Sequence, residues 1–136
     1  MSRFEERKKD YENALKKLEE ALIENIDTMQ ENTKQIIIDG VLHRFEFTFE
    51  LAWKTMKDYL EYMGITNKIG SPRENIQAGF KQGIIENGEI WIEIMLSRNE
   101  SSHLYDEEAS RKIYDNIKNS YIKEFKKLET KFKQIL

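Results

Sequence analysis

Apolar residues recur along this chain at helical intervals almost from end to end. Phe4, Tyr11, Leu15, Leu18, Leu22 and Ile26 follow one another at steps of three, four or seven, which places them on one stripe of a helix. Glu and Lys fill the remaining faces, so the spacing predicts a first helix over residues 2 to about 26. Residues 27–33 are polar and read as a loop. A long second helix is expected from about Lys34 to Met63. Its inner stripe is Ile38, Val41, Phe45, Phe49, Ala52, Met56, Tyr59 and Met63, again stepping by three or four. Gly64 is placed to stop it in the left-handed conformation.

The second half continues the pattern. Residues 66–70 read as a loop. Ser71, Pro72 and Glu74 form a helix start: an N-cap, a proline at the first helical position and a capping-box glutamate. Ile76 and Phe80 give this short third helix an inner face, and Gly83 ends it. Asn87-Gly88 is a turn signal. A fourth helix starts near Glu89 with Ile90, Trp91, Ile94 and Met95, and residues 99–105 read as a connection. Asp106, Glu107 and Glu108 suit the start of a last helix. That helix carries Ala109, Ile113, Ile117, Tyr121, Phe125, Leu128 and Phe132 to about Gln134. No stretch alternates as a strand does, and no internal repeat or glycine-rich phosphate loop appears. The expected fold is all-α: one domain over residues 1–136, an antiparallel up-and-down bundle of four long helices plus one short one.

Composition narrows the function classes. The chain has 136 residues, no cysteine and two histidines, His43 and His103. Disulfides and thiolate metal sites are excluded, and a histidine-based zinc site is not expected. The first ten residues lack the apolar core of a signal peptide, and no apolar run approaches the ~20 residues of a membrane span. The expected location is cytoplasmic. A net charge of −3 is not that of a general nucleic-acid binder, so any RNA contact must be local or built from two chains.

Two stretches carry chemistry. On the second helix, Phe47 lies about 180° round from Ile38 at ~100° per residue, and Leu51 extends that second apolar face. His43, Glu46 and Glu50 form a polar line between the two faces. The line reads either as a solvated, internally paired edge or as the rim of a cleft. On the fourth helix, Arg98 follows Trp91 by seven residues and so projects within ~20° of the same, inner side. A charge there needs a carboxylate partner or lines a cleft that receives an anion. Arg98, His103 and Tyr105 crowd into eight residues. A permanently charged fork that suits phosphate, an imidazole that titrates near neutral pH and a phenol together fit phosphodiester chemistry. They also fit an ordinary helix-to-helix corner, with Arg98 on Glu46 or Glu50 and His103 packed at the bend.

The run from His43 to Thr55, HRFEFTFELAWKT, resembles the second-helix signature of the nucleotidyltransferase substrate-binding proteins, with Ser71-Pro72-Arg73 and residues 91–105 in support. The resemblance covers roughly residues 10 to 125. That family sits within the HEPN group of all-α domains, which usually dimerise. Active members share an arginine, four to six residues, then a histidine; here Arg98 and His103 have four between them, and Asn99 follows the arginine as is common in the group. Tyr105 completes the HepT-like form of the motif. The resemblance implies a toxin with metal-independent endoribonuclease activity, in which Arg98 and His103 are catalytic. It implies a minimal nucleotidyltransferase partner, an MntA-like antitoxin, that adds AMP to Tyr105. Asn99, Glu46 and Glu50 are candidates for lining or supporting the cleft. The implied partners are the transferase, RNA and a second copy of the chain; no cofactor and no membrane are implied. Non-catalytic members of the group leave a second reading open: a substrate- or nucleotide-binding subunit of the transferase that docks without cutting RNA. A third reading is a plain helical adaptor.

Overall fold

In the computed structural model, which describes residues 3–103 and 106–135, the described residues are helical with no strand. The helices are α1 (Arg3–Leu22), α2 (Glu31–Tyr62), α3 (Pro72–Lys81), α4 (Gly88–Ser101), α5 (Glu107–Asn116) and α6 (Ile122–Ile135). A π-helical turn, Ile117–Tyr121, joins α5 to α6 without breaking the rod. The architecture is the antiparallel helical bundle expected from the pattern, with α3 as the short helix. No helix among the described residues is long and apolar enough to cross a membrane.

Helix α2 is the centre of the bundle and packs against α1, α3, α4 and α5, while α1 also reaches α6. Its stripe explains this. Ile38, Val41, Phe45, Phe49, Ala52 and Met56 are all buried. Phe45 packs against Tyr121 and Phe125, with ring centroids 5.8 and 6.0 Å apart. Trp91 of α4 sits 5.6 Å from Phe125. At the other end, Phe4 and Tyr11 of α1 meet Phe132 of α6 edge-on. Truncating a ring such as Phe45 to alanine would cost about 3–5 kcal/mol, because so dense a site cannot fully collapse.

Several polar groups inside this core are bonded, while the buried Tyr114 hydroxyl has no hydrogen-bond partner among the described residues. The Tyr11 hydroxyl donates to the Phe125 carbonyl at 2.6 Å, and burial pushes its pKa up. Thr48 and Thr55 are fully buried on α2 because their hydroxyls donate to carbonyls one turn back, Arg44 and Leu51.

Gly64 and Gly83 end α2 and α3 at positive φ. In each case the glycine N–H and the next N–H bond back into the last turn: Gly64 to Glu61 and Ile65 to Leu60, then Gly83 to Phe80 and Ile84 to Gly79. This double bond pattern satisfies carbonyls that the helix end leaves open.

Several expectations are corrected. The first helix stops at Leu22, not near residue 26. The Asn25 side chain accepts from the Asp27 N–H and starts a separate 3-10 turn, Ile26–Thr28, that still buries Ile26. Helix α2 starts earlier, at Glu31. Met63 is 43% exposed and Phe80 is 53% exposed, so neither belongs to the core. The Phe80 ring instead covers Gly88, where an added Cβ would come within 3.3 Å of it. Helix α4 runs on to Ser101, so Asn99, Glu100 and Ser101 are helical rather than part of a connection.

Candidate functional site

The last turn of α4 lies against the polar line of α2. Asn87 caps the start of α4 by accepting from the Ile90 N–H, and Trp91, Ile94 and Met95 bury its inner face. The same inner side then carries Ser97 and Arg98. Ser97 is buried, with its hydroxyl 2.7 Å from the Tyr121 hydroxyl. Tyr121 belongs to the π-helical turn, and burial pushes its pKa up to about 12, with the nearby Glu93 adding to the rise and the bond to Ser97 opposing it. That bond pins the α4 end to the core one residue before Arg98.

Arg98 is half-buried. Its Nη2 lies 3.5 Å from Glu50 Oε1, and the two side chains are 29% and 33% exposed. Glu50 is shared: its Oε2 also accepts from Trp53 Nε1 at 3.3 Å and lies 3.5 Å from Lys54 Nζ. The Arg98 Nε is buried and has no hydrogen-bond partner among the described residues. Among the described residues this guanidinium is therefore held by one long ion pair, and its Nε donor is left open.

Glu46 takes a different partner. Its Oε2 lies 2.7 Å from the Ser101 hydroxyl, which is also 2.9 Å from the Arg98 carbonyl. The two glutamates of α2 thus grip the last turn of α4 at two points. Beside them a cavity of about 180 Å³ opens, lined by Asp39, Leu42, His43, Glu46, Ser101 and Ser110. Along the polar line of α2, His43 and Glu46 line this cavity, while Glu50 is a paired edge.

His103 follows in the turn after α4, where its N–H bonds the Glu100 carbonyl, and it is exposed. Asn99 is exposed, and its carbonyl accepts from the Ser102 hydroxyl. Tyr105 lies outside the described residues. The fold therefore brings together Arg98, Glu46 and Glu50, places His103 five residues past Arg98 at the open end of α4, and leaves Asn99 at the surface. The carboxylate partner expected for Arg98 is Glu50. The second apolar face is uneven: Phe47 is 59% exposed, while Leu51 is half-buried.

Sequence reasoning missed Ser101, which reads as a loop residue but holds Glu46. It also missed Trp53 and Lys54 as partners of Glu50, although their spacing of three and four residues on one helix was the available signal. Among the described residues, no cluster of histidine and acidic side chains could hold a metal.

Chemically, the arrangement offers a guanidinium with spare donors, two carboxylates that fix its helix turn, and an exposed imidazole nearby. An anion approaching Arg98 would compete with Glu50 for it.

Residues 6–134 match the family described as "Nucleotidyltransferase substrate binding protein like". A Haemophilus influenzae protein named "Probable ribonuclease HepT" is 32% identical over 84 residues. That alignment covers 60% of this chain and 58% of the relative, so it spans less than two thirds of the relative's length. A solved Haemophilus influenzae structure, described as revealing the fold of a substrate binding domain of a nucleotidyltransferase, superposes with a TM-score of 0.85 at 25% identity, covering 93% of this chain and 99% of that one. A crystal structure from Thermus thermophilus superposes with a TM-score of 0.76 at 22% identity, covering 90% of this chain and 98% of that one, and shares the fold.

Proposed function

The chain belongs to the nucleotidyltransferase substrate binding protein like family, and from that premise we propose that it is the partner subunit of a minimal nucleotidyltransferase and the toxin of a toxin–antitoxin pair, acting as a metal-independent endoribonuclease. The observation that carries this reading is the state of Arg98: an inward-facing guanidinium that, among the described residues, has a single ion pair at 3.5 Å and an unpartnered Nε, on the helix turn that leads to an exposed His103. The similarity to a protein named as a ribonuclease supports it.

RNA carries its own nucleophile. A base removes the proton of the 2′-hydroxyl, the 2′-oxygen bonds to phosphorus, the bond to the 5′-oxygen breaks, and an acid protonates that leaving oxygen. The products are a 2′,3′-cyclic phosphate and a 5′-hydroxyl. Arg98 holds the phosphate and offsets the charge that builds up on it in the transition state. His103 supplies one proton transfer. A homodimer related by a two-fold axis belongs to this reading, since it would bring a second His103 to the phosphate. Addition of AMP to Tyr105 is the proposed off-switch. It would place a phosphodiester and a purine two residues from His103, blocking the cleft and engaging Arg98.

A growth assay tests this reading. The chain expressed alone should arrest growth, His103→Ala should not, and co-expression of the neighbouring nucleotidyltransferase should restore growth while adding the mass of one AMP to Tyr105. Soluble wild-type protein that leaves growth and cellular RNA unchanged would overturn the toxin assignment. Tyr105 unmodified with and without the transferase would overturn the off-switch alone.

One observation favours a second reading. The pairing of Arg98 with Glu50 gives the arginine a partner without any ligand. In a non-catalytic substrate- or nucleotide-binding subunit, that pair would only tie α2 to α4. Co-purification with the transferase is expected under both readings, so RNA cleavage by the purified chain in EDTA separates them.

A further inference from the structure

A second charged residue stands inside the bundle, away from Arg98. Glu124 follows Tyr121 by three residues and precedes Leu128 by four, so it shares their buried stripe and is only 8% exposed. Its one hydrogen bond or ion pair among the described residues is to Lys127 Nζ, at 3.4 Å, and the Lys127 side chain is 61% exposed. A carboxylate that deep is costly unless its oxygens are filled. One long contact from an ammonium in solvent does not fill its lone pairs. Glu124 also lines a cavity of about 260 Å³ between the turn after α3, the start of α4 and α6. Trp91, Ile84, Ile85 and Leu128, all buried, line it with Glu124. The exposed Glu86 and Lys127 and the half-buried Lys131 complete it on the solvent side. Trp91 is seven residues before Arg98, about 10 Å along α4. Among the described residues, this cavity shares no lining with the one beside Ser101.

We propose that this cavity binds a small zwitterion: a guanidinium that enters against Glu124 and Trp91, joined by a short aliphatic stem to an acid group held by Lys127 and Lys131. The lining charges cancel, two acids against two lysines, but the buried one is negative and the lysines stand towards solvent. The interior therefore calls for a cation and the mouth for an anion. A guanidinium offers a carboxylate two parallel N–H donors and lies flat on an indole face, which a compact ammonium does not. Ile84, Ile85 and Leu128 suit a stem of methylenes. On binding, the guanidinium replaces Lys127 on Glu124. The freed Lys127 joins Lys131, four residues on along the same side of α6, in holding the acid group. At about 260 Å³ the cavity is smaller than the about 300–1,000 Å³ of drug-sized pockets, so it fits a small molecule rather than a peptide. Such a site is independent of RNA cleavage.

Isothermal titration calorimetry of the full chain at neutral pH and low salt tests this, with 4-guanidinobutanoate as the probe. Agmatine keeps the guanidinium but carries an ammonium in place of the acid; pentanoate keeps the acid and lacks the guanidinium. The expected result is saturable one-to-one binding of 4-guanidinobutanoate, with both analogues at least about tenfold weaker, the scale of one lost charged hydrogen bond. Glu124→Gln should weaken the probe about 10- to 100-fold. Glu19→Gln, whose carboxylate pairs with Lys126 instead, should leave binding unchanged. Lys131→Glu should reverse the preference, so that agmatine binds better than 4-guanidinobutanoate. That variant changes a half-buried residue and decides the matter even where Glu124→Gln fails to fold, with thermal midpoints as the check on folding. No saturable binding by wild type up to about 10 mM, equal binding by folded Glu124→Gln, or an unchanged preference in Lys131→Glu would each overturn the site. None of these outcomes touches the nuclease reading, which the growth assay decides separately.

Discussion

Two arginines sit at opposite ends of the connection between α4 and α5, and they are treated differently. Arg111 on α5 is paired with two carboxylates. Its Nη2 lies 3.0 Å from Asp27 Oδ1, its Nε lies 3.1 Å from Asp115 Oδ1, and its guanidinium stands 5.8 Å from the centre of the Tyr114 ring. Hydrogen bonds to Asp115 first and Asp27 second push its pKa above the ordinary value. Arg98 on α4 is less exposed than Arg111 yet has, among the described residues, one ion pair, longer at 3.5 Å, with a glutamate that two other donors also share. An arginine kept for structure is placed where carboxylates match its fork. An arginine with an orphaned donor and a partner divided three ways is placed where an incoming anion can compete. The first ties α5 to the turn after α1; the second is the group that chemistry at this end of the bundle would use.

The largest expected effect sharpens that contrast directly. Arg98→Ala should lower RNA cleavage by about 100- to 1000-fold, the scale of losing a preorganised contact to developing charge. Arg111→Ala should leave cleavage within about twofold, because surface substitutions away from the site act only through stability. Arg98→Lys should recover little, since a point charge does not reproduce the two-pronged contact. The measurement is initial rate in EDTA on matched folded samples. Equal losses from Arg98→Ala and Arg111→Ala would break the comparison.

A smaller effect is expected at Glu50. Glu50→Gln removes the charge that competes with phosphate for Arg98 and also loosens the hold on its fork. KM for RNA should fall about threefold while kcat falls about tenfold, because a few tenths of an ångström of misplacement is costly in a positioned site. A Glu50→Gln chain with unchanged kcat would mean that Glu50 does not aim Arg98.

The anchor behind Arg98 can be tested through stability. Tyr121→Phe removes the 2.7 Å contact with Ser97 and should cost about 1 kcal/mol, as a buried hydroxyl loses its partner. The same phenol predicts a pH effect. Its folded pKa is raised from 10.0 to about 12. The neutral form is therefore favoured by folding, and that stability is complete below pH 10 and lost as pH rises from 10 towards 12. Burial pushes Tyr11 and Tyr114 the same way, which should deepen the alkaline loss. Thermal midpoints across that range, with and without Tyr121→Phe, check the assignment; parallel curves for the two proteins would break it.

Much of this was legible as periodicity. The stripes of α1 and α2 name most of the core, because burial follows the face a helix presents. The glycine ends of α2 and α3 follow from backbone freedom at single positions. What pattern could not show is where a local bond outbids the helix, as Asn25 does after Leu22, or where a neighbouring glycine lets a ring lie at the surface, as Gly88 does for Phe80. The π-helical turn had a signal. Ala109, Ile113, Ile117, Tyr121 and Phe125 step by four throughout. Each such step drifts about 40° on an α-helix, so a wider turn is needed to keep them all inward. At the candidate site, the inward direction of Arg98 was readable from its spacing to Trp91. Its choice of Glu50 was not, because Glu46 and Glu50 lie on one line, and only the packing of α4 assigns Ser101 to one and Arg98 to the other. The motif of Arg98, His103 and Tyr105 came from resemblance, since no periodicity marks a histidine as chemical.

The smallest expected effect tests the structural half of the comparison. Arg111→Ala should destabilise the chain by no more than about 1 kcal/mol, because its ion pairs are partly exposed and water screens them. The loss should come from the tie between α5 and the 3-10 turn at Asp27, so Asp27→Ala should reproduce most of it and the double variant should cost little more than either alone. Raising salt towards 1 M, where screening acts over about 3 Å, should shrink the difference between wild type and Arg111→Ala. Chemical denaturation in urea, which adds no ions, measures it at each salt. An undiminished difference at high salt would shift the role of Arg111 from its charges to the stacking of its guanidinium on Tyr114, and would leave Arg98 as the arginine of this pair whose charge matters.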